Sequence, residues 1–280
     1  SVTSELTAIK SEIRNHNGQP TLFIDGRPHH GLLSSAPAPF MRNMLDAGFD
    51  IVDTHPQTAT GWTGPDTYDY RATDAKIESY LSQSAKAKLI VRFWLGYPED
   101  KNHGGAFWWA ARHPEECVRP LSAEAERTMS GDELGAPASW GQLIAANAGH
   151  PARPAATPVH PARPSFASLR FRKEAGEALR RVVAHLEGQY GDRIVGYVTG
   201  GGPCGEWFHW HADEARMMDY SAPMHRAFQA FLRDRYADVD ALNHAWNTRH
   251  TDVADIALPG FAERFHPTHG NLRAVQRERA

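Results

Sequence analysis

The chain has 280 residues, of which 41% are hydrophobic and 22% are charged, so it has the composition of a globular protein and room for one large α/β domain or two small ones. Its formal net charge of −3 provides no positive field for nucleic acid or anionic membranes, and no apolar run approaches the ~20 residues of a transmembrane helix. Two cysteines without zinc-ligand spacing, and no phosphate-binding loop or dinucleotide motif, predict neither metal nor cofactor and leave the compartment open.

Apolar segments separated by glycine, proline and helical patterns predict alternating strands and helices in the first part of the chain. Glu5–Arg14 is predicted to be a short helix, and Pro20–Pro28 a small hairpin that turns at Asp25 and Gly26. The elements predicted next are the strand His29–Ser35, the helix Pro39–Ala47 ended by Gly48, the strand Phe49–His55, the helix Asp74–Ser84 capped by Thr73 or Asp74, and the strand Ala87–Trp94.

An irregular, proline-rich region follows at about 98–168 and contains a short duplication, His150–Pro154 and His160–Pro164. Prolines at this spacing favour extended structure. We interpret the region as a long loop that passes over a functional site. The alternative is a mobile segment without a functional role. The elements predicted after it are the helix Phe171–Tyr190, the strand Ile194–Val198, the helix Ser221–Tyr236 with Ser221 as its cap, and the helix Val239–Trp246.

Strands that alternate with helices predict a parallel sheet and an α/β fold of the (β/α)8 TIM-barrel type. In such barrels the active-site groups lie at the carboxyl ends of the strands. Polar and aromatic residues fall at this end of each predicted strand: His29 and His30, Asp53 and His55, Arg92 and Trp94, Glu206 and Trp207. Their recurrence in all four units favours an enzyme.

Glu206 follows a glycine-rich strand end and has Trp207, Phe208 and Trp210 as neighbours. Burial among aromatic rings would raise the pKa of this carboxyl group and let it donate a proton near neutral pH. The alternatives are a buried acid paired with an Arg or His, and an acid at the rim of a tryptophan-rich surface. Eight Trp residues without a basic stripe favour sugars over nucleic acid as stacking partners.

Two segments after the predicted fourth strand carry a family resemblance. Asp219–Tyr236 and Val239–Trp246, the second of which contains Leu-Asn-His-Ala-Trp, resemble the glycoside hydrolase family 42 β-galactosidases of clan A. Gly205-Glu-Trp207 resembles the segment in which those enzymes carry their general acid/base. The resemblance covers most of 20–100 and 165–250. It implies a (β/α)8 barrel, and retaining hydrolysis of β-glycosides by two carboxyl groups about 5–5.5 Å apart, with Glu206 as the acid/base.

The sequence departs from the family pattern at three points. Gly205 stands where clan A enzymes usually have Asn, the metal-binding cysteine cluster of many family members is absent, and neither Glu263 nor Glu278 is a convincing strand-seven nucleophile. We therefore predict a single domain over 1–280 with four to five βα units. It is either a fragment of a longer hydrolase or a compact variant that closes its sheet with a second copy. An incomplete barrel exposes strand edges, which predicts a homo-oligomer or poor solubility.

The predicted partner is a carbohydrate bound at the strand ends, with no nucleic acid and no membrane. The predicted contacts are His30, Asp53, His55, Arg92, Trp94, Trp207 and Trp210. For Arg92 the alternative is a structural ion pair with Asp53. Only one of His29 and His30 is expected to line the site, because adjacent residues of a strand point to opposite faces.

The sequence thus predicts a glycoside hydrolase-like protein that acts on β-linked galactosides or related sugars by acid/base catalysis through Glu206. The alternative is a non-catalytic carbohydrate-binding or scaffold half-barrel that has lost the nucleophile. His209 and His211, with Glu206 or Asp213, resemble the ligands of a metal site. The spacing of these residues is not persuasive for a third ligand, so we predict no metal.

Overall fold

The computed structural model of the protein describes residues 7–54, 58–95, 108–119, 163–200 and 219–259. The chain divides into two compact units, one of Ser1–Trp108 with Lys173–Phe208 and one of Trp109–Arg172 with His209–Ala280. The single domain over 1–280 stays a prediction.

The helices and strands of the described residues alternate in much the predicted order. In chain order they are β1 (Ser11–His16), β2 (Gln19–Ile24), β3 (Arg27–His29), β4 (Leu33–Ser34), α1 (Ala38–Asp46), β5 (Ile51–Asp53), β6 (Trp62–Gly64), β7 (Thr67–Tyr68), α2 (Arg71–Leu81), β8 (Lys88–Trp94), α3 (Trp108–Arg112), α4 (Leu169–Tyr190), β9 (Ile194–Gly200), α5 (Ala222–Arg235) and α6 (Val239–Trp246).

The first unit begins with an antiparallel sheet of β1, β2 and β3. Asn17 and Gly18 join β1 to β2 with φ angles of 52° and 82°, and Asp25 and Gly26 join β2 to β3 with 48° and 75°. Positive φ at both central residues is the backbone of a two-residue type I′ hairpin, and Asn-Gly and Asp-Gly are its preferred sequences. The second hairpin is confirmed. The helix predicted over Glu5–Arg14 is wrong, because pairing with β2 makes Ser11–His16 a strand.

A four-stranded parallel sheet forms the centre of the first unit, in the order β4, β5, β8, β9. Each neighbouring pair is parallel, with Leu33 opposite Ile51, Val52 opposite Leu89 and Phe93 opposite Thr199. Helices connect the strands, since α1 follows β4, α2 follows β5 and α4 precedes β9. The predicted α/β fold with a parallel sheet is therefore confirmed.

Side chains alternate between the two faces of this sheet. Leu89, Val91 and Phe93 of β8 are buried on the face that the helices cover. Fully buried helix residues complete this core: Met41, Ile77, Val182 and Leu186.

The N-terminal hairpin packs on the opposite face of the sheet. Ile24 of β2 forms a second apolar cluster with Ile51 and Val195, near the amino ends of β5 and β9. Ser11 Oγ donates a hydrogen bond to the carbonyl of Val195. The hairpin therefore covers the amino end of this face, and Asp53 and Arg92 lie nearer the carboxyl end.

The ends of the helices follow local sequence in most places. Gly48 follows α1 with φ +97°, as predicted for a residue just beyond a helix end. Helix α2 instead begins at Arg71 after Tyr70, which makes no side-chain cap, so the predicted cap at Thr73 or Asp74 is wrong. Thr73 lies inside the helix and donates to the carbonyl of Ala59 at 3.0 Å.

The second unit contains α5 and α6 and a small core of Leu232, Leu242, Val253 and Ile256. Ser221 caps α5 as predicted, accepting a hydrogen bond from the Met224 N–H. Within the described residues, no helix combines the length and apolarity needed to cross a membrane.

Candidate active site

The carboxyl ends of β5 and β8 bring Asp53 and Arg92 together. The Nη2 atom of Arg92 is 2.6 Å from Oδ2 of Asp53, and Nε is 3.3 Å from Oδ1. Ser35 Oγ also donates to Oδ2, at 3.2 Å. The Asp53 side chain is only 3% exposed, whereas that of Arg92 is 28% exposed. The result is a buried carboxylate that holds a partly accessible guanidinium.

The Nη1 edge of the Arg92 guanidinium makes no hydrogen bond within the described residues, and the side chain is 28% exposed. Within the described residues, both side-chain hydrogen bonds of Arg92 use Nε and Nη2 and end on Asp53, so Nη1 has no partner. Because a guanidinium has five N–H donors in a fixed plane, this edge can donate to a hydroxyl group while Asp53 fixes the other edge. The alternative predicted for Arg92, an ion pair with Asp53, is what the structure contains, and it is compatible with ligand binding.

Two threonines continue the network beyond Asp53. Thr54 Oγ1 accepts the Arg92 backbone N–H at 3.0 Å and lies 2.8 Å from Thr58 Oγ1. The Thr58 N–H donates to the Arg92 carbonyl at 2.6 Å. Both threonines are buried. Sequence reasoning did not single out either residue, although Thr54 directly follows a predicted strand-end acid.

The other predicted contacts at the carboxyl ends lie partly or wholly outside the described residues. Trp94 is the last residue of β8, and its side chain lies outside the description. His55, Glu206, Trp207 and Trp210 lie outside the described residues. Their roles stay predictions.

His30 lies at the opposite end of the sheet from Asp53 and Arg92. It precedes β4, and its Nε2 faces Oδ1 of Asp50 at 3.8 Å. Asp50 comes just before β5, and Lys88, which opens β8, pairs with it at 3.0 Å. The expected position at the carboxyl end of the first strand is therefore wrong. The strand begins only at Leu33, because a turn with Gly31 at φ +70° separates it from the hairpin.

His29 and His30 both turn towards Asp50, contrary to the expectation that they face opposite ways. Their ring centroids are 4.2 Å apart, and Nε2 of His29 is 2.9 Å from Oδ1 of Asp50. His29 ends β3 whereas His30 is outside any strand, so strand alternation does not apply.

The donor atoms of His29, His30 and Asp50 lie within 4.8 Å of one another, a spacing that suits a metal ion. However, Nδ1 of each ring accepts a backbone N–H at 3.0 Å, from Gly31 and Leu32 respectively. A neutral ring that accepts at Nδ1 carries its proton on Nε2, so both Nε2 atoms face Asp50 as donors and have no lone pair for a metal.

Hydrogen bonds and charge stabilise the Asp50 carboxylate in its ionised form. Partial burial raises the pKa of Asp50, but the hydrogen bond and charge of Lys88 and the hydrogen bond from His29 lower it by more, so the pKa lies below its ordinary value of 3.8. The group therefore forms a structural link between the hairpin and the sheet.

Residues 166–273 match the model of glycoside hydrolase family 42, described as β-galactosidase. This match includes Glu206 and both segments that carry the resemblance in the sequence, so the resemblance is confirmed over that part of the chain. A search of curated proteins found no significant match.

This chain is similar to several solved structures of glycosidases. The catalytic domain of β-amylase from Paenibacillus polymyxa is 14% identical, with a TM-score of 0.54 over 86% of this chain and 53% of that one. The β-galactosidase of the psychrophilic Marinomonas ef1 is 18% identical, with a TM-score of 0.46 over 80% of this chain and 28% of that one. The cold-adapted β-galactosidase of Rahnella sp. R3 is 13% identical, with a TM-score of 0.45 over 84% and 30% respectively.

The fold prediction is confirmed: the chain is an α/β protein of the TIM-barrel type, and the described residues contain four successive parallel strands of such a sheet. The chain spans 28% to 53% of the length of these solved structures. The family match supports a glycosidase-like function.

Proposed function

We propose that this protein is a glycoside hydrolase that acts on β-linked galactosides or related sugars, with Glu206 as its general acid/base. The observation that carries the proposal is the Asp53–Arg92 pair at the carboxyl end of the parallel strands, in which the partly exposed guanidinium keeps Nη1 free of hydrogen bonds within the described residues. That end is where enzymes of this fold bind their substrates. The family match over 166–273 supports the class of reaction.

Arg92 is assigned to the binding of a sugar hydroxyl. Asp53 neutralises the charge of Arg92 and fixes its plane with two hydrogen bonds. A neutral pair suits a neutral sugar, since a hydroxyl group needs a donor in a fixed position rather than a net positive charge. His55 and Trp94 are assigned to further hydroxyl contacts, and Trp207 and Trp210 to stacking against the apolar face of the ring.

Glu206 follows β9 in the chain and is assigned to proton transfer. In a retaining mechanism it protonates the glycosidic oxygen as the bond to the anomeric carbon breaks, and later removes a proton from the attacking water. The second carboxylate, which attacks the anomeric carbon, has no assigned residue in this sequence.

A non-catalytic carbohydrate-binding protein is the second candidate. The observation that favours it is that Asp53, the strand-end carboxylate of the described sheet, is already held by Arg92 and Ser35. A carboxylate with three such donors is a poor nucleophile. A protein of this kind would bind the sugar without cleaving it.

Hydrolysis of p-nitrophenyl β-D-galactoside, with calorimetry of lactose binding, separates the two candidates. The variants are Glu206→Gln and, as a matched control, Glu12→Gln in β1, where the side chain is 39% exposed. Hydrolysis that is lost only in Glu206→Gln supports the hydrolase, whereas unchanged hydrolysis in Glu206→Gln overturns the assignment. Lactose binding without hydrolysis in the wild type supports the binding protein, and neither activity overturns both candidates.

A further inference from the structure

The pairing between β5 and β8 changes character at Arg92. Up to that point the strands exchange ordinary backbone hydrogen bonds, and the Thr54 N–H donates to the Ile90 carbonyl at 3.1 Å. The Arg92 N–H, however, donates to the side-chain hydroxyl of Thr54 at 3.0 Å instead of to a backbone carbonyl. The backbone pairing resumes at Thr58, which forms a parallel bridge with Phe93.

We infer that Thr54 and Thr58 form a clamp that positions Arg92, and through it the Asp53–Arg92 pair, for the proposed sugar site. The clamp holds both backbone polar groups of Arg92, since the Thr54 hydroxyl accepts its N–H and the Thr58 backbone N–H donates to its carbonyl at 2.6 Å. The inference rests on the proposed function. The two threonines are positioning residues, because they act on the ligand only through Arg92.

The hydrogen bonds of the clamp are mutually consistent. Thr54 Oγ1 accepts from Arg92, so its own hydroxyl proton is available to Thr58 Oγ1, 2.8 Å away. Both threonines are buried, so no bulk solvent replaces a lost partner. Removing the Thr54 hydroxyl breaks two hydrogen bonds, including that to Arg92, whereas removing the Thr58 hydroxyl breaks one.

The position of the clamp connects it to the site. Irregular pairing next to the end of a strand re-aims side chains and is common beside active sites. Here it lies at the residue whose guanidinium contacts Asp53.

Valine replaces threonine with nearly the same shape and without the hydroxyl, so the test compares Thr54→Val and Thr58→Val with the wild type. Thr73→Val is the matched control, because Thr73 is also buried in this unit and its hydroxyl bonds the Ala59 carbonyl at 3.0 Å rather than Arg92. Thr54→Ser keeps the hydroxyl and serves as the rescue variant. The readouts are kcat and KM on p-nitrophenyl β-D-galactoside, lactose affinity, Tm, and hydrogen exchange of the Arg92 amide measured by NMR.

Thr54→Val is expected to speed exchange of the Arg92 amide about tenfold and to lower kcat/KM about tenfold, mainly through KM. Thr58→Val should change amide exchange and kcat/KM in the same direction but by less. Thr54→Ser should keep both close to their wild-type values. Thr73→Val should lower Tm by a similar amount and leave kcat/KM and the Arg92 amide unchanged.

The clamp is overturned if Thr54→Val, like Thr73→Val, leaves the exchange of the Arg92 amide and the kinetics or affinity for the sugar unchanged. A wild type that neither hydrolyses the galactoside nor binds lactose overturns the proposed function and the positioning role together. The two failures are distinguishable, because exchange of the Arg92 amide reports the hydrogen bond to Thr54 whether or not the protein binds a sugar.

Discussion

Asp53 and Arg92 share two hydrogen bonds across neighbouring parallel strands, yet one side chain is 3% exposed and the other 28%. Each residue therefore depends on the other to a different degree. The carboxylate cannot be solvated if Arg92 is removed, whereas the guanidinium retains access to water if Asp53 is neutralised.

Arg92→Met is expected to destabilise the protein more than Asp53→Asn. Loss of Arg92 leaves a buried charge with only the Ser35 hydroxyl, which costs about 3 kcal/mol in the free energy of unfolding. Asp53→Asn keeps one acceptor and should cost about 1–2 kcal/mol. Urea denaturation at neutral pH measures both values, and the reverse order would contradict the buried position of the carboxylate.

Acid stability should depend on the ion pair between Asp50 and Lys88. Because the folded pKa of Asp50 is below 3.8, its ionised form stabilises the fold at higher pH, and this stabilisation is lost as the pH falls through the folded pKa. Lys88→Met moves that pKa back towards its ordinary value. The variant should therefore lose less free energy of unfolding than the wild type between about pH 5 and 2.

Denaturation curves across this pH range, with the pKa of Asp50 followed by NMR, test the role of Lys88. Lys86→Met is the matched control, since Lys86 is exposed and lies outside the ion pair of Asp50. An Asp50 pKa that is the same in Lys88→Met and the wild type would contradict the assignment.

Gly61→Ala should lower the stability of the first unit more than most glycine-to-alanine substitutions there. Gly61 has φ +71°, and a Cβ there would lie 2.5 Å from Tyr70 Cδ1 and 2.8 Å from the Asp69 carbonyl. Strain and overlap together should cost about 2–4 kcal/mol.

Two other glycines separate these two effects. Gly48→Ala adds strain alone at φ +97° in open space and should cost about 1 kcal/mol. Gly196→Ala adds neither strain nor overlap and should leave the Tm unchanged. Thermal denaturation measures the Tm of all three variants. An equal decrease in Tm for Gly61→Ala and Gly48→Ala would show that the Tyr70 side chain moves aside without an energetic penalty.

The chain is expected to form a homo-oligomer in solution. Leu33 of β4 and Val198 of β9 are 44% and 38% exposed, and apolar side chains on such a sheet favour association. Light scattering after size exclusion should give a mass that is a multiple of 31.1 kDa. Leu33→Lys should shift the equilibrium towards the monomer, with the exposed Ile13→Lys as its control. A wild type of 31.1 kDa at all concentrations would exclude this expectation.

Local sequence determined much of the scaffold. Gly48 ends α1 and Ser221 begins α5, because a positive φ and an N-cap are properties of a few neighbouring residues. The strand Lys88–Trp94 follows from its apolar run in the same way. These features need no distant partner, and the sequence predicted them correctly.

Long-range pairing decided what local pattern could not. Ser11–His16 became a strand because β2 pairs with it, although its sequence also fits a helix. His30 lies at the amino end of the sheet, not at the predicted carboxyl end, because the parallel strand begins only after Gly31. In both cases the sequence leaves two local structures close in energy, and the tertiary contacts select one.

The candidate site divides in the same way. The sequence by itself identified Asp53 and Arg92 as polar residues at strand ends, and the family pattern predicted Glu206, which lies outside the described residues. Only the tertiary structure decided that Asp53 and Arg92 meet, that Asp53 is the more buried, and that Thr54 and Thr58 hold the Arg92 backbone. The register of parallel strands sets these contacts, and register depends on the packing of the whole sheet rather than on neighbouring residues.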